Sequence, residues 1–259
     1  MDDNRNQEHV AGNAGMIYKA AQLGTHEVTA EELKAINKYA LEPLEAADVF
    51  TFKAVLCDNE LDRDYERFSL KALQDLRKLF LGKTVIKDHS HRADNQVARI
   101  YATELVQSDK ATKSGELYTQ LVAHCYMVRT DRNKDLIAEI KGGIKKEGSV
   151  GCAVSSSICS ICGTDNAKNY CRHFRGRSYE KEGGPQVCTF TLDKAEDAYE
   201  FSLVAVPAQK SAGVSKSYTG EVFYAPAEEP APADEAKNKD HERALALRVR
   251  LVKSRAPKN

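Results

Sequence analysis

Runs of apolar residues in the middle of the chain predict a domain built mainly from β-strands. The runs are rich in β-branched and aromatic residues and are separated by short polar turns, as expected of strands that border a core. The predicted strands are Asp48–Cys57, Thr84–Lys87, Val97–Val106, Leu117–Val128, Ser149–Ser157, Val187–Leu192 and Tyr199–Val206.

Three other segments place apolar residues at helical spacing. Thr29 and Glu32 have the spacing of a capping box, so a helix is predicted over Ala30–Leu41. Two further helices are predicted over Phe68–Phe80 and Asp131–Lys146. The pattern therefore predicts an α+β protein in which a few helices accompany many strands.

Composition divides the chain into four segments. We expect an N-terminal arm and helix over 1–47, a β-rich domain over 48–220 with an insertion at 158–188, a linker over 221–238 and a basic segment over 239–259. The linker is predicted from its proline, alanine and acidic residues, which favour an extended chain. The basic segment fits an amphipathic helix and an alternating strand equally well.

Charge and hydropathy give no argument for a membrane or nucleic-acid partner. The chain carries 38 basic and 38 acidic residues, so its formal net charge is zero. We expect no leader peptide, because the first residues are polar and acidic, and no run is apolar enough to cross a bilayer. These features predict a cytosolic chain with reduced thiols.

Four of the seven cysteines cluster with a histidine in the predicted insertion. Cys159 and Cys162 are separated by two residues, the spacing of a metal-binding knuckle, and Cys171 and His173 follow. These four residues predict a structural zinc site, with Cys188 as a substitute for the fourth ligand. Unliganded thiols in a loop are the alternative interpretation.

A possible nucleophile begins the strand that leads into this insertion. Ser149 lies in the sequence Gly-Ser-Val-Gly, where small neighbours allow close backbone approach and leave amides to face a developing oxyanion. A nucleophilic serine needs a base, and the polar DHSH loop offers His89 and His91. A structural serine and solvated histidines are the alternatives.

The third member of such a site would be an acid that orients the base. Glu200 is preferred, because a charged residue in the apolar strand YEFSLV is costly unless it is paired. Asp62, Asp64 and Asp88 compete with it. A solvent-facing position on an alternating strand is the other interpretation of Glu200.

These pieces resemble, in their order, the prohead proteases of tailed phages, which are serine proteases related to the herpesvirus assemblins. The resemblance covers roughly 49–214 and rests on the sequences CDNELDRDYERFSL, VIKDHSHRADNQVARI, GSVGCAV and YEFSLVAVPAQ. Ala98 stands where relatives often have glycine, and assemblins use a second histidine as the third member of the site.

The resemblance implies an antiparallel β-barrel wrapped by helices and a serine endopeptidase activity. It implies Ser149 as nucleophile, His89 as base with His91 as its rival, and Glu200 as the orienting acid. The amides of Val150 and Gly151 are the implied oxyanion hole. Zinc is expected only as a structural ion.

The implied substrates are the phage scaffold and major capsid proteins, cut inside the prohead in the bacterial cytoplasm, and the chain itself. We also expect a homo-oligomer and no membrane partner. A different class remains open, namely a non-catalytic, zinc-stapled assembly module or a nucleic-acid-binding module. The basic residues available for phosphate contacts in that case are Arg172, Arg175 and Arg177.

Overall fold

Strands make up most of the computed structural model, which describes residues 28–207, 209, 211–215 and 222–224. The helices are α1 (Ala30–Asn37), α2 (Leu70–Leu79) and α3 (Lys134–Lys141), with 3-10 turns at Ala46–Asp48 and Ala93–Asn95. The strands are β1 (Val49–Asp58), β2 (Glu66–Phe68), β3 (Thr84–Lys87), β4 (Ala98–Ala111), β5 (Leu117–Val128), β6 (Gly148–Cys159), β7 (Ser178–Lys181), β8 (Gly184–Val187), β9 (Phe190–Leu203), β10 (Gly213–Ser215) and β11 (Val222–Tyr224). The protein is therefore α+β and mainly strand, as the sequence predicts.

Helix α1 begins at the predicted capping box. The Thr29 hydroxyl accepts the Glu32 N–H, and the Glu32 carboxylate accepts the Thr29 N–H. The helix ends at Asn37, before the predicted limit at Leu41. The side-chain amide of Asn37 instead bonds to both backbone groups of Leu44, which folds the following loop back onto the helix end.

Helices α2 and α3 lie inside their predicted segments and are shorter than predicted. Ser69 caps α2 by accepting the Ala72 N–H at 2.9 Å, which fixes the start of that helix. Leu73 and Leu76 on its inner side are fully buried. In α3 the buried residues are Ile137 and Ile140, whereas Ile144, predicted on the same side, is exposed beyond the helix end.

Nine strands form one twisted sheet, and β7 pairs separately with β8. The order along the sheet is β10-β1-β5-β4-β3-β9-β2, with β6 on β9 and β11 on β4. Most pairs are antiparallel, but β3 and β2 run parallel to β9. The main core joins α2 to one side of this sheet, and includes the fully buried Phe80 and Phe201.

Strand β9 corrects one prediction. The two predicted strands Val187–Leu192 and Tyr199–Val206 are largely one strand, which pairs with β6 from Phe190 to Leu203. Its middle is charged and partly exposed, and so lacks the apolar pattern of a buried strand. The pairing shifts register twice in this region, and Lys194 there adopts a left-handed backbone with φ +54°.

The strand ladders of the described residues do not close into a barrel. An isolated bridge between Glu147 and Gly213 links the start of β6 to β10. The Val214 N–H also donates to the Lys146 carbonyl at 2.6 Å. A side chain at position 213 would lie 2.0 Å from that same carbonyl, so the approach requires glycine.

All described residues belong to one compact unit that ends at Ala225. Within the predicted linker, Val222–Tyr224 forms β11 against β4. The arm over 1–27, the remaining linker over 225–238 and the basic segment over 239–259 lie outside the described residues. Of the helices that are described, none has the length and hydropathy needed to span a membrane.

Candidate active site and metal centre

Strand β9 brings the predicted catalytic residues to one face of the sheet. Ser149 lies directly opposite Ser202, and Gly151 lies opposite Glu200. Opposite residues of an antiparallel pair point to the same face, with Cβ atoms about 4.5–5.5 Å apart. Ser149, Ser202 and Glu200 therefore share a face, while Phe201 between the last two points into the core.

The loop after β3 carries the predicted base to the same face. The Nδ1 atom of His89 lies 2.7 Å from Oε1 of Glu200. The His89 side chain is 45% exposed, whereas that of Glu200 is only 2% exposed. With Nδ1–H donating to the carboxylate, Nε2 is left as a proton acceptor on the accessible side of the ring.

Glu200 is therefore a buried acid paired with His89, and this pairing offsets the cost of placing a charge in an apolar strand. Its second oxygen, Oε2, is buried and has no hydrogen-bond partner among the described residues. A buried carboxylate with one strong partner holds the imidazole in one orientation.

His91 and the competing acids lie elsewhere. His91 is exposed and forms no hydrogen bond within the described chain. Asp62 accepts the N–H groups of Asp64 and Glu66 in a local turn, and the side chain of Asp88 bonds to no described residue. The structure thus pairs His89, and not His91, with an acid.

Two serines lie near the base, and their surroundings differ. The Ser202 side chain is fully buried, and its Oγ accepts the His89 N–H at 2.7 Å. Ser149 is only half-buried, and its hydroxyl has no hydrogen bond to any described residue, His89 included. Of these two serines, Ser149 is therefore the more exposed one and the one with an unpaired hydroxyl among the described residues.

Glycine is needed at positions 148 and 151, on either side of Ser149, for two different physical reasons. A Cβ atom at Gly148 would lie 2.1 Å from the ring of Phe201, and one at Gly151 would lie 2.7 Å from Oε1 of Glu200. Gly148 thus makes room for the core, and Gly151 makes room for the buried acid. Nothing in the sequence alone distinguishes these two roles.

The N–H groups of Val150 and Gly151, the two predicted oxyanion-hole amides, point to opposite edges of β6. Successive N–H groups of a strand point to opposite edges. The Gly148 N–H donates to the Ala212 carbonyl, away from β9. The Val150 N–H therefore points to that same edge, and the Gly151 N–H points toward β9.

The second predicted site lies beside the last residues of β6 and the first residues of β9, at the far end of these strands from Ser149. The ligand atoms of the cluster all lie within 4.8 Å of one another, and the cluster could hold a metal ion. Sulfur ligands around one tetrahedral ion with 2.3 Å bonds are about 3.8 Å apart, so only a small contraction is needed. The residues are Cys159, Cys162, Cys171 and His173.

The chemistry of the donors fits a cation. Nδ1 of His173 is buried and lacks a hydrogen-bond partner among the described residues, as expected of a ligand atom. Hydrogen bonds from Thr164 lower the pKa of the Cys162 thiol to about 6, which favours the thiolate. Burial raises the pKa of Cys188 to about 12; its sulfur lies 3.8 Å from that of Cys159, beside the cluster.

Two of the three predicted arginines, Arg175 and Arg177, make protein contacts, whereas Arg172 is exposed and has no ion pair or ring contact within the described chain. Arg175 bonds to Glu66 at 2.8 Å and stacks over Phe190. Arg177 lies over the ring of Phe174. The contacts of Arg175 attach the insertion to β2 and β9, whereas the contact of Arg177 lies within the insertion.

A further buried polar cluster joins three strands. Glu104 accepts hydrogen bonds from His124 at 3.0 Å and from Lys53 at 3.2 Å. Burial by itself would raise the pKa of Glu104, but these two partners outweigh it and lower the pKa from its ordinary value. The three residues come from separate strands with no shared motif, so the sequence offers no signal for this cluster.

No family model, curated protein or solved structure matches the chain.

Proposed function

We propose that the chain is a serine endopeptidase with an assemblin-like fold, of the type that matures phage proheads. The observation that carries the proposal is the 2.7 Å contact between His89 and the buried Glu200, on the face that also bears the unpaired hydroxyl of Ser149. A buried acid, an accessible imidazole and an available serine are the groups that acyl transfer requires.

In the proposed mechanism, Ser149 Oγ attacks the carbonyl carbon of the scissile peptide while Nε2 of His89 takes its proton. Glu200 holds the ring through Nδ1 and stabilises the imidazolium. The tetrahedral intermediate collapses when His89 gives its proton to the leaving amine. Water then repeats the sequence on the acyl-enzyme and releases Ser149.

The Val150 N–H is the better placed of the two amides for the oxyanion. Its direction away from β9 leaves it outside the β6–β9 ladder, whereas the Gly151 amide lies within that ladder. In this proposal Val150 donates to the developing negative charge.

The proposed assemblin-like barrel is supported by the bridge from Glu147 to Gly213, which links the start of β6, the partner of β9, to β10 at one end of the sheet. The metal proposed for the cysteine cluster is zinc, held by Cys159, Cys162, Cys171 and His173. Four such ligands fill its coordination sphere, so it would supply stability rather than chemistry. The proposed substrates are scaffold and capsid precursors within the prohead, and a homo-oligomer is proposed as the working form.

The test uses a fluorophosphonate, which reacts with activated serines. The full-length protein should gain one adduct by intact mass, located at Ser149 by peptide mapping. Ser149→Ala and His89→Ala should gain none, whereas His91→Ala and the half-buried control Ser155→Ala should react as the wild type does.

Peptidase activity is then tested with the candidate scaffold protein. Wild-type protein and Ser149→Ala are each co-expressed with it, and both products are followed by intact mass. Cleavage in the wild-type sample alone supports the proposal. Equal cleavage in both samples, or adducts at residues other than Ser149, would contradict it. If a folded wild-type protein neither reacts nor cleaves, the non-catalytic assembly module becomes the better interpretation.

A further inference from the structure

The backbone at His89, the proposed base, and at the preceding residue has an unusual conformation. Asp88 and His89 both adopt left-handed conformations, with φ of +54° and +50°. Residues with a Cβ atom rarely adopt this conformation, and two in succession need contacts that hold them there. The contacts that do so determine where the imidazole lies.

Both contacts come from the end of β9. The Asp88 N–H donates to the Leu203 carbonyl at 3.0 Å, and the His89 N–H donates to the Ser202 hydroxyl at 2.7 Å. The first contact uses a backbone group that any residue would supply. The second depends on the side chain, because it requires a hydroxyl at position 202.

Ser202 and Glu200 alternate on one face of β9, so this strand contacts His89 twice. Glu200 holds the ring at Nδ1, and Ser202 holds the backbone at N. We propose that Ser202 is a positioning residue that fixes His89 between Glu200 and Ser149, an inference that rests on the proposed function. Its full burial and its bond to His89 exclude it as the nucleophile.

Among the described residues, the Ser202 hydroxyl is the acceptor that the His89 N–H uses. Without it, the His89 N–H loses its acceptor, and the Leu203 carbonyl already serves Asp88. The two residues would then relax toward right-handed conformations, which carry the ring away from Glu200. Threonine keeps the hydroxyl and suits a strand, so it is the conservative replacement.

The experiment measures the rate of fluorophosphonate labelling of the full-length protein at several probe concentrations. We expect Ser202→Ala to lower the limiting labelling rate roughly 10- to 100-fold, with the half-saturating concentration unchanged. Ser202→Thr should keep the rate within about threefold of wild type, because a hydroxyl still accepts the His89 N–H.

Ser156→Ala is the matched control. Ser156 is also a buried serine in the β6–β9 pair, and its hydroxyl bonds to Asp165 at 3.0 Å, far from His89. Its loss should reduce stability to urea about as much as the loss of Ser202, but should leave labelling unchanged. This control separates positioning of the base from a general loss of stability.

Hydrogen exchange of the His89 amide tests the contact without any activity. Exchange at this amide should be faster in Ser202→Ala than in wild type, and restored in Ser202→Thr. Wild-type labelling rates in Ser202→Ala, or unchanged exchange at His89, would overturn this inference alone. Absence of labelling at Ser149 in the wild type would instead overturn the proposed function together with it.

Discussion

Gly151→Ala should disable the proposed base without unfolding the protein. The added Cβ would lie 2.7 Å from Oε1 of Glu200, whereas ordinary contacts of this kind begin near 3.4 Å. The carboxylate must therefore retreat by about 0.7 Å. A shift directly away from the ring would lengthen its 2.7 Å contact with His89 to about 3.4 Å, longer than a normal N–H···O hydrogen bond and therefore much weaker.

The magnitude follows from the contact that is lost. A hydrogen bond to a charged group contributes about 1.5–3 kcal/mol, which corresponds to a roughly 10- to 150-fold lower rate of reaction at Ser149. Stability should also fall, by about 1–3 kcal/mol, because the buried carboxylate of Glu200 weakens its bond to His89 and its other oxygen has no partner among the described residues.

The assay combines fluorophosphonate labelling with urea unfolding, for Gly151→Ala, Glu200→Gln and the double variant. If the alanine acts through the carboxylate, the double variant should label no more slowly than Glu200→Gln alone. A low-field proton signal from Nδ1–H of His89 should also disappear in Gly151→Ala. Wild-type labelling in Gly151→Ala, or additive losses in the double variant, would refute the reasoning.

Three further outcomes are expected elsewhere in the molecule. Gly148→Ala should cost at least about 1–3 kcal/mol of unfolding free energy in urea, because its Cβ would lie 2.1 Å from the buried ring of Phe201; an unchanged midpoint would contradict this. Glu104→Gln should cost about 2 kcal/mol at pH 7. Folding lowers the pKa of Glu104, so its pairing with His124 stabilises the protein above the ordinary glutamate pKa, and this stabilisation is lost as the pH falls through the folded-state pKa. The unfolding free energies of the wild type and Glu104→Gln, measured in urea, should therefore converge in acid. Removing bound metal with a chelator should lower the melting temperature of the wild type, and Cys162→Ser should reduce both the metal content and that response; equal content in the two proteins would exclude Cys162 as a ligand.

Local patterns could predict the elements that depend on local causes. The capping box at Thr29, the position of α2 and the complete extent of β5 all follow from residue spacing. The grouping of Cys159, Cys162, Cys171 and His173 was also predictable, because Cys159 and Cys162 are close in sequence and a knuckle turn fixes their separation.

Features that depend on distant residues were not predictable from the sequence. The continuity of β9 is hidden by its charged middle, where pairing with β6 replaces apolar burial as the cause of the strand. The bond from His89 to Ser202 joins residues 113 positions apart. The Glu104 cluster likewise forms only when three strands come together.

Strand β9 connects the core, the proposed active site and the proposed metal site. At one end of β9, Glu200 and Ser202 point toward His89, and Phe201 between them points toward the core. A substitution on one face of the strand should therefore also shift the side chains on the other face. Ser149 and Cys159 are ten positions apart in β6, which is about 33 Å along a strand. A metal at that distance cannot contact the substrate carbonyl, and its effect on the site must pass through the register of β6 and β9. Loss of the metal should therefore reduce stability before it affects the geometry of Glu200 and His89.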